Sequence, residues 1–233
     1  MPGSRSRGTI GPAYSAMSRA HTIMELNPRQ AEAVEHGDGA LLVLAGAGSG
    51  KTRVLVHRIA RLIDEGAVEP WQILAVTFTN KAARELVERC QAIVGPRADE
   101  LWVGTFHGIA ARMCRRHADE LGYPRSFTIF DQDDQIRLLK ELVKNANLDA
   151  DAFPAEAIRA FIDRAKNEAR GPADLDDRRN DTFGAKAVEI YGSYQRRLKQ
   201  MGAMDFGDLI LNTVVLLRTV PAVREGFQRR FRH

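Results

Sequence analysis

The chain has 233 residues, of which 44% are hydrophobic and 27% are charged, and its formal net charge is +4. This composition is that of a soluble globular protein with one large domain or two small ones. The longest apolar runs, residues 209–211 and 214–217, are too short to span a bilayer, which excludes a membrane-spanning protein. The basic balance suits a nucleic-acid partner but does not establish one.

The N-terminal segment and the cysteines bear on the cellular compartment. Residues 1–24 are rich in Ser, Arg and Gly and lack the apolar core of a signal peptide, so we expect a disordered tail. Cys90 and Cys114 stand without metal-ligand spacing in stretches with helical patterns. We therefore expect two reduced, packed thiols and a cytoplasmic protein.

The first predicted element is a short helix. Asn27 is a good N-cap, Pro28 fits the first helical position, and Gly37 fits the end of the helix. Gln30 lies in the first turn, where its amide offers a donor and an acceptor that match the edge of adenine. Taken alone, a glutamine on a helix is more often a solvated residue than a ligand.

A glycine-rich loop follows a short apolar run. Leu41–Leu44 is predicted to form a strand, and the spacing of apolar residues after Thr52 predicts a helix. This is the context of a phosphate-binding P-loop, whose agreement with the flanking elements disfavours a glycine-rich turn that binds nothing. Lys51 would reach the β- and γ-phosphates, and the Thr52 hydroxyl would ligate Mg²⁺. The predicted loop residues are Ala45, Gly46, Ala47, Gly48, Ser49, Gly50, Lys51 and Thr52, with Ala45 where the pattern has glycine.

Two more strand–turn–helix units follow. Residues 73–78 read as a buried parallel strand, and Asn80 can cap a helix over residues 81–94. Residues 101–106 form the next predicted strand, followed by His107 and a helix that ends near residue 122. Such alternation predicts a parallel α/β sheet, which binds ligands at the carboxyl ends of its strands. The P-loop and the turns at 77–81 and 105–107 are therefore expected on one rim.

The pattern then becomes helical. We predict helices at residues 133–145, 155–168 and 186–201, which together indicate an insertion rather than a continuation of the sheet. Its scattered basic residues are typical of a solvated face, with contacts to phosphate as the alternative. They are Arg159, Arg164, Lys166, Arg170, Arg178, Arg179, Arg196, Arg197 and Lys199. Beyond the insertion, Asp205 caps another predicted helix, and Val223, Phe227 and Phe231 give the last segment one apolar face.

A P-loop ATPase normally has a second acidic site, in which an apolar strand delivers an Asp to Mg²⁺. Asp64 and Glu65 follow two apolar residues, as the acidic pair of such a site does, but they lie at the end of the P-loop helix away from the phosphates. Asp131 follows an apolar run but leads directly into a helix, so capping explains it better. We therefore expect this site to be absent from these residues.

Together these motifs resemble the N-terminal part of a UvrD/Rep/PcrA-type superfamily 1 DNA helicase, from Leu26 to His233. Residues 26–30 are similar to that family's adenine-reading Q motif, and residues 45–52, 77–83 and 104–107 resemble its motifs I, Ia and Ib. Residues 204–209 resemble the segment before motif II, with Gly207 where Asp or Ala is common.

The resemblance implies a fold. It is an α/β, RecA-like P-loop NTPase sheet, left incomplete because the chain stops before the Walker B strand. Residues 25–125 and 202–233 would form the first RecA-like subdomain, and residues 126–201 an inserted all-helical accessory subdomain.

The resemblance also implies a function: an ATP-dependent 3′-to-5′ DNA helicase or translocase in DNA repair, replication or recombination, with ATP and Mg²⁺ as cofactors. Lys51 and Thr52 would be catalytic, and Gln30 and Arg53 would contact the adenine side of ATP. Single-stranded DNA and duplex junctions would be its substrates, and repair or replication proteins would bind through sequence beyond this chain. The implied DNA-binding residues are Thr77, Phe78, Thr79, Asn80, Lys81, Thr105, Phe106 and His107.

The residues leave some alternatives open. A non-catalytic nucleic-acid-binding module would share the basic charge, and a helicase–nuclease would share the same N-terminal motifs. From residue pattern alone, Phe78 reads as a buried strand residue, whereas the family implies stacking on a base. A P-loop kinase or transporter ATPase does not explain the motifs after the second and third strands. We expect this chain alone to bind nucleotide weakly and not to hydrolyse it.

Overall fold

The computed structural model describes residues 26–175 and 182–233. The predicted tail at residues 1–24, as well as Arg178 and Arg179, lies outside the described residues. Contacts divide the described chain into a first unit, residues 26–105 with 229–233, and a second unit, residues 106–228. The insertion predicted at residues 126–201 lies within the second unit.

The first unit alternates helices with short strands, as the sequence predicts. Strands β1 and β2 pair in parallel, from Leu74 opposite Trp102 to Thr77 opposite Thr105. Its helices are α1 Pro28–Glu35, α2 Lys51–Asp64 and α3 Asn80–Val94, its strands are β1 Leu74–Thr77 and β2 Trp102–Thr105, and it has 3-10 turns at Pro70–Gln72 and Gly95–Glu100. The core lies between the helices and the strands and includes Val56, Ile59, Ile63, Ile73, Leu86, Cys90 and Leu101.

The start of α3 corrects one prediction. The cap is Thr79, whose hydroxyl accepts the Ala82 N–H at 3.1 Å, and Asn80 is the first helical residue. Thr79 has extended backbone, which an N-cap requires, whereas Asn80 has already entered the helix. The helix ends as predicted at Gly95, whose φ is +66°.

The strand predicted at Leu41–Leu44 is wrong. This run has no regular secondary structure, and Leu42 and Leu44 are 80% and 86% exposed. One edge of β1 is paired with β2, and backbone bonds from the chain end lie along β1 as well: Leu74 N–H donates to the His233 carbonyl at 2.8 Å, and Arg232 N–H donates to the Gln72 carbonyl at 3.0 Å. Within the described residues, β1 and β2 pair only with each other as strands, so the apolar run has no ladder to join.

Aromatic rings surround an arginine near the end of the first unit. The guanidinium of Arg230 lies 4.8 Å from the ring centre of Trp102 and 5.8 Å from that of Trp71. Phe231 contacts Trp102 edge to face, with ring centres 5.0 Å apart. These contacts, together with the backbone bonds of residues 232–233, attach residues 229–233 to the strands.

The second unit is mostly helical, with one small sheet that the sequence did not predict. Strands β3 and β4 pair in parallel, from Thr128 opposite Ala203 to Phe130 opposite Asp205, and so bracket the three helices of the insertion. The elements are α4 Phe106–Arg116, α5 Ala118–Leu121, β3 Thr128–Phe130, α6 Gln132–Asn145, α7 Ala155–Asn167, a 3-10 turn Pro172–Asp174, α8 Thr182–Gln200, β4 Ala203–Asp205, α9 Phe206–Thr219 and α10 Pro221–Arg230, whose last residues belong to the first unit.

Lys166 corrects the prediction of a solvated basic face. Its side chain is 0% exposed, and its ammonium lies 2.6 Å from Asp205 Oδ2 and 2.8 Å from Asp208 Oδ1. The Tyr194 hydroxyl donates to the same Asp205 oxygen at 2.9 Å, and Gln195 Nε2 donates to Asp208 Oδ1 at 2.9 Å. These five residues, which we call the buried ion cluster, join α7 and α8 to the start of α9.

The buried ion cluster also accounts for Gly207. A Cβ at this position would lie 2.8 Å from Lys166 Cδ, so a side chain here would displace the lysine. As predicted, Asp205 caps α9, accepting the Asp208 N–H at 2.8 Å. Each carboxylate therefore serves the helix cap and the ion pair at once.

The cysteine prediction is confirmed as far as packing is concerned. Cys90 and Cys114 are both unpaired and 0% exposed, and burial raises the pKa of the Cys90 thiol to about 11.

Among the described residues, no single helix is long and apolar enough to cross a membrane; α9 and α10 meet that criterion only as a pair bent by 102°.

Candidate functional site

The glycine-rich loop opens directly into α2. Gly48 and Gly50 have φ of +74° and +86°, in the left-handed region that glycine adopts without strain. Gly50 is the N-cap of the 14-residue α2, and it offers no side chain to the helix N–H groups. A helix start of this kind presents N–H donors and the positive end of the dipole to an anion.

The predicted phosphate ligands lie on this exposed helix start. The Lys51 ammonium donates to the carbonyls of Ala45 at 3.0 Å and Gly46 at 2.6 Å, so it lies over the loop. The Ser49 hydroxyl donates to the Gly46 carbonyl at 2.7 Å and tightens the same turn. Both Lys51 and Thr52 are exposed, as ligands for a phosphate and its metal ion must be.

Gln30 is brought to the loop by the packing of α1 on α2. Its Nε2 donates to the Ser49 carbonyl at 3.0 Å, although 19 residues separate the two. Two arginines of α2 hold the end of α1: Arg58 donates to the His36 carbonyl at 2.6 Å, and Arg61 donates to the Val34 carbonyl at 2.9 Å. Arg53, predicted with Gln30 for the adenine side, lies half-buried one residue beyond Thr52.

The turn after β1 exposes an aromatic ring. Phe78 is 94% exposed, which contradicts its reading as a core residue. The Thr77 hydroxyl donates to the Thr79 carbonyl at 3.0 Å and closes the turn, and Asn80 and Lys81 are exposed in the first turn of α3. Because Thr77 and Thr105 pair in register, the turns after β1 and β2 begin side by side, as predicted for that part of the rim.

The remaining predicted residues, Phe106 and His107, begin α4 in the second unit. Both are exposed, Phe106 by 54%. The His107 ring contacts Phe206 edge to face, with ring centres 5.7 Å apart. Phe206 is itself 51% exposed, and the sequence pattern did not predict it as a site residue. The sequence does hold a signal for an exposed Phe206. It is the first helical residue after the cap Asp205, and the buried side chains of α9 begin only at Asp208 and Leu209.

The acidic residues rejected as a second metal site behave as capping and surface groups. Asp131 accepts the Asp134 N–H at 2.9 Å as the N-cap of α6, which confirms the capping interpretation. Asp64 is the last residue of α2, and Glu65 pairs with Arg61 at 2.9 Å. Neither carboxylate is therefore at the loop end of α2.

Residues 26–233 match the family described as the UvrD/REP helicase N-terminal domain. The chain belongs to this family. This UvrD/REP domain is 46% identical over 211 residues to the ATP-dependent DNA helicase PcrA of Staphylococcus aureus strain Mu50, covering 91% of this chain and 29% of that protein. It is also 46% identical over 208 residues to the PcrA of Bacillus subtilis strain 168, covering 89% of this chain and 28% of that protein. The chain thus spans less than a third of the length of these relatives.

The exposed Thr52 hydroxyl is the predicted metal ligand of the loop. In the part of the chain that the structure describes, no group of three or more His, Cys, Asp or Glu side chains could hold a metal ion. The exposed hydroxyl oxygen of Thr52 suits Mg²⁺, which binds few protein ligands and takes the rest from substrate phosphates and water. The residues present therefore fit Mg²⁺ as a companion of a bound phosphate.

Proposed function

We propose that this chain is the ATP-binding, RecA-like part of a DNA helicase that moves 3′ to 5′ along single-stranded DNA. The observation that carries the proposal is the loop at residues 45–50, where two left-handed glycines open an uncapped helix under the Lys51 ammonium. The relatives from Staphylococcus aureus and Bacillus subtilis are ATP-dependent DNA helicases, which supports the assignment of this loop as a nucleotide site.

In this proposal the loop N–H groups hold the ATP phosphates and Lys51 neutralises the β- and γ-phosphates. Lys51 must leave the carbonyls of Ala45 and Gly46, which are exposed partners that water can replace. Thr52 would hold Mg²⁺, which supplies charge neutralisation at the transferred phosphate when bound. Gln30 and Arg53 would lie on the adenine side.

Hydrolysis would need a second acidic site, the Walker B strand, which we expect to be absent from these residues. The accessory subdomain at residues 126–201 would be an insertion in the RecA-like sheet. We therefore expect the isolated chain to bind nucleotide weakly and not to turn over.

The DNA-binding proposal depends on exposed aromatic rings. Phe78, at 94% exposure, can stack on any base for about 1–3 kcal/mol without reading its identity. Phe106, His107 and Phe206 offer a second exposed aromatic surface in the other unit. Sequence-tolerant contacts of this kind suit translocation on single strands and unwinding at duplex junctions, in repair, replication or recombination.

The test uses the longer protein that contains this chain. Wild-type protein should hydrolyse ATP faster when single-stranded DNA is added, and Lys51→Ala should abolish hydrolysis because the phosphates lose their cation. Lys186→Ala is a matched control, since Lys186 is an exposed lysine paired with Glu189 in the second unit. Robust ATP hydrolysis by Lys51→Ala would refute the phosphate assignment.

A non-catalytic nucleic-acid module is the second candidate, favoured by the net charge of +4 and the exposure of Phe78. Such a module would bind oligonucleotides with a salt slope of roughly −0.7 per neutralised phosphate and without any response to ATP. Binding titrations with and without ATP separate the two candidates: an ATP-dependent affinity supports the helicase, and an ATP-independent one supports the module.

A further inference from the structure

The side-chain amide of Gln30 has two fixed partners. Its Oε1 accepts the Asn27 N–H at 3.0 Å, and its Nε2 donates to the Ser49 carbonyl at 3.0 Å. One partner is a donor and the other an acceptor, so only one orientation of the amide satisfies both. The cap of α1 therefore aims the amide nitrogen at the glycine-rich loop.

The same amide leaves no space for a side chain at the next loop residue, Gly50. A Cβ at Gly50 would lie 2.6 Å from Gln30 Nε2, closer than real contacts allow. Gly50 also has the left-handed φ of +86° that turns the loop into α2. Gln30 thus contacts the loop at the turn that delivers Lys51 and Thr52.

The helix that carries Gln30 is anchored on the helix that the loop opens. Arg58 and Arg61 lie within α2, and their guanidinium groups donate to the carbonyl of His36, the C-cap of α1, at 2.6 Å and to that of Val34 at 2.9 Å. Val34 of α1 and Val54 of α2 are buried in one apolar cluster. The helix that carries the Gln30 amide is therefore held in place against α2.

We propose that Gln30 is a positioning residue for the phosphate-binding loop, acting through the Ser49 carbonyl whether or not a base is present. This inference rests on the proposed nucleotide site and deepens it. After its two bonds the amide keeps one N–H and one lone pair, enough to meet the edge of adenine as well. A base that contacts this amide would act on the group that fixes the loop, so base recognition and loop geometry share one side chain.

The test separates loop positioning from base recognition by using a ligand that has no base. ATP and inorganic tripolyphosphate, each with Mg²⁺, are titrated calorimetrically into the 233-residue chain and its variants. Gln30→Met keeps a similar length and adds no charge, but it removes the donor to Ser49. We expect it to weaken both ligands by a similar factor, about tenfold, as for the loss of one hydrogen bond to an ordered loop.

Two further variants make the result decisive. Glu35→Gln, at the exposed end of the same helix, should bind both ligands like wild type. Gln30→Asn withdraws the amide by one methylene and should repeat the parallel loss, even if Gln30→Met proves unstable.

Three outcomes are distinguishable. Parallel loss of both ligands supports loop positioning. Loss of ATP affinity with tripolyphosphate affinity at the wild-type level would show that Gln30 serves the base alone, which overturns the inference and leaves the proposed function intact. A wild-type chain that binds neither ligand would overturn the proposed nucleotide site and, with it, this inference.

Discussion

Two lysines of this molecule show how the surroundings of one side chain decide its use. Lys51 of the first unit is exposed, and its partners are two loop carbonyls that water or an anion can replace. Lys166 of the second unit is 0% exposed and pairs with two carboxylates that are themselves buried. The exchangeable partners suit a ligand-binding cation, whereas the buried ones hold elements of the fold together.

The carboxylates around Lys166 make its position costly to change. Burial raises the pKa of Asp208, and the Lys166 charge opposes that rise. Asp205 and Asp208 also cap α9 by accepting each other's backbone N–H groups at 2.8 and 3.1 Å. Loss of the lysine would therefore leave two adjacent buried carboxylates that must either keep uncompensated charge or take up a proton, and both outcomes are costly.

The largest loss of folding stability is expected for Lys166→Met. Removing one partner of a buried ion cluster should lower the free energy of unfolding by about 3–5 kcal/mol, since two carboxylates lose their cation. Urea unfolding followed by far-UV circular dichroism measures the change. Lys186→Met, which removes an exposed lysine paired with Glu189 on the same unit, should change the free energy by less than about 0.5 kcal/mol. Equal stability of the two variants would contradict the role of the buried ion cluster.

A smaller loss of folding stability is expected for Gly207→Ala. The new methyl group would meet Lys166 Cδ at 2.8 Å, and such overpacking typically costs about 1–3 kcal/mol. Gly226→Ala is the matched control, because a Cβ there meets nothing within 4 Å. The control should be neutral or more stable by about 0.4–1 kcal/mol, through the lower entropy of the unfolded chain. The same urea titration compares them; a neutral Gly207→Ala would show that Lys166 can move aside.

The smallest effect on stability is expected for Lys51→Met. Its ammonium donates to two exposed loop carbonyls that water can replace, so the unfolding midpoint in urea should match that of wild type. Nucleotide binding, followed by calorimetry, should nevertheless be lost because the phosphates lose their cation. A marked fall in the midpoint would mean that the loop depends on Lys51 for its own structure, which would weaken the contrast between the two lysines.

The sequence predicted features that depend on a few neighbouring residues. The caps at Asn27, Asp131 and Asp205 are confirmed, because capping is decided within one helical turn. The helix after the P-loop is confirmed as well, whereas α1 ends at Glu35 with His36 as its C-cap, two residues before the predicted Gly37. The exposed state of Phe78 followed from the family resemblance and not from the apolar pattern of its strand.

The features that the sequence did not predict depend on distant partners. Leu41–Leu44 has the composition of a strand but lacks a described neighbour to pair with. The pairing of β3 with β4 joins Thr128 to Ala203, 75 residues further along, and each strand is only three residues long. The sequence around Lys166 resembles that of a surface lysine, and its burial depends on the ion pairs with Asp205 and Asp208, about forty residues away. The bond from Gln30 to Ser49 is equally invisible in sequence, because no local rule joins a helix side chain to a loop carbonyl.

The arginine that contacts both indole rings makes tryptophan fluorescence a reporter of the chain end. Both tryptophans of the chain, Trp71 and Trp102, lie in the first unit, and Arg230 lies over both. A nearby guanidinium changes the emission of an indole, so the intrinsic fluorescence of this molecule follows the attachment of residues 229–233. Detachment of that segment should therefore shift the emission spectrum even while every helix of the second unit stays folded.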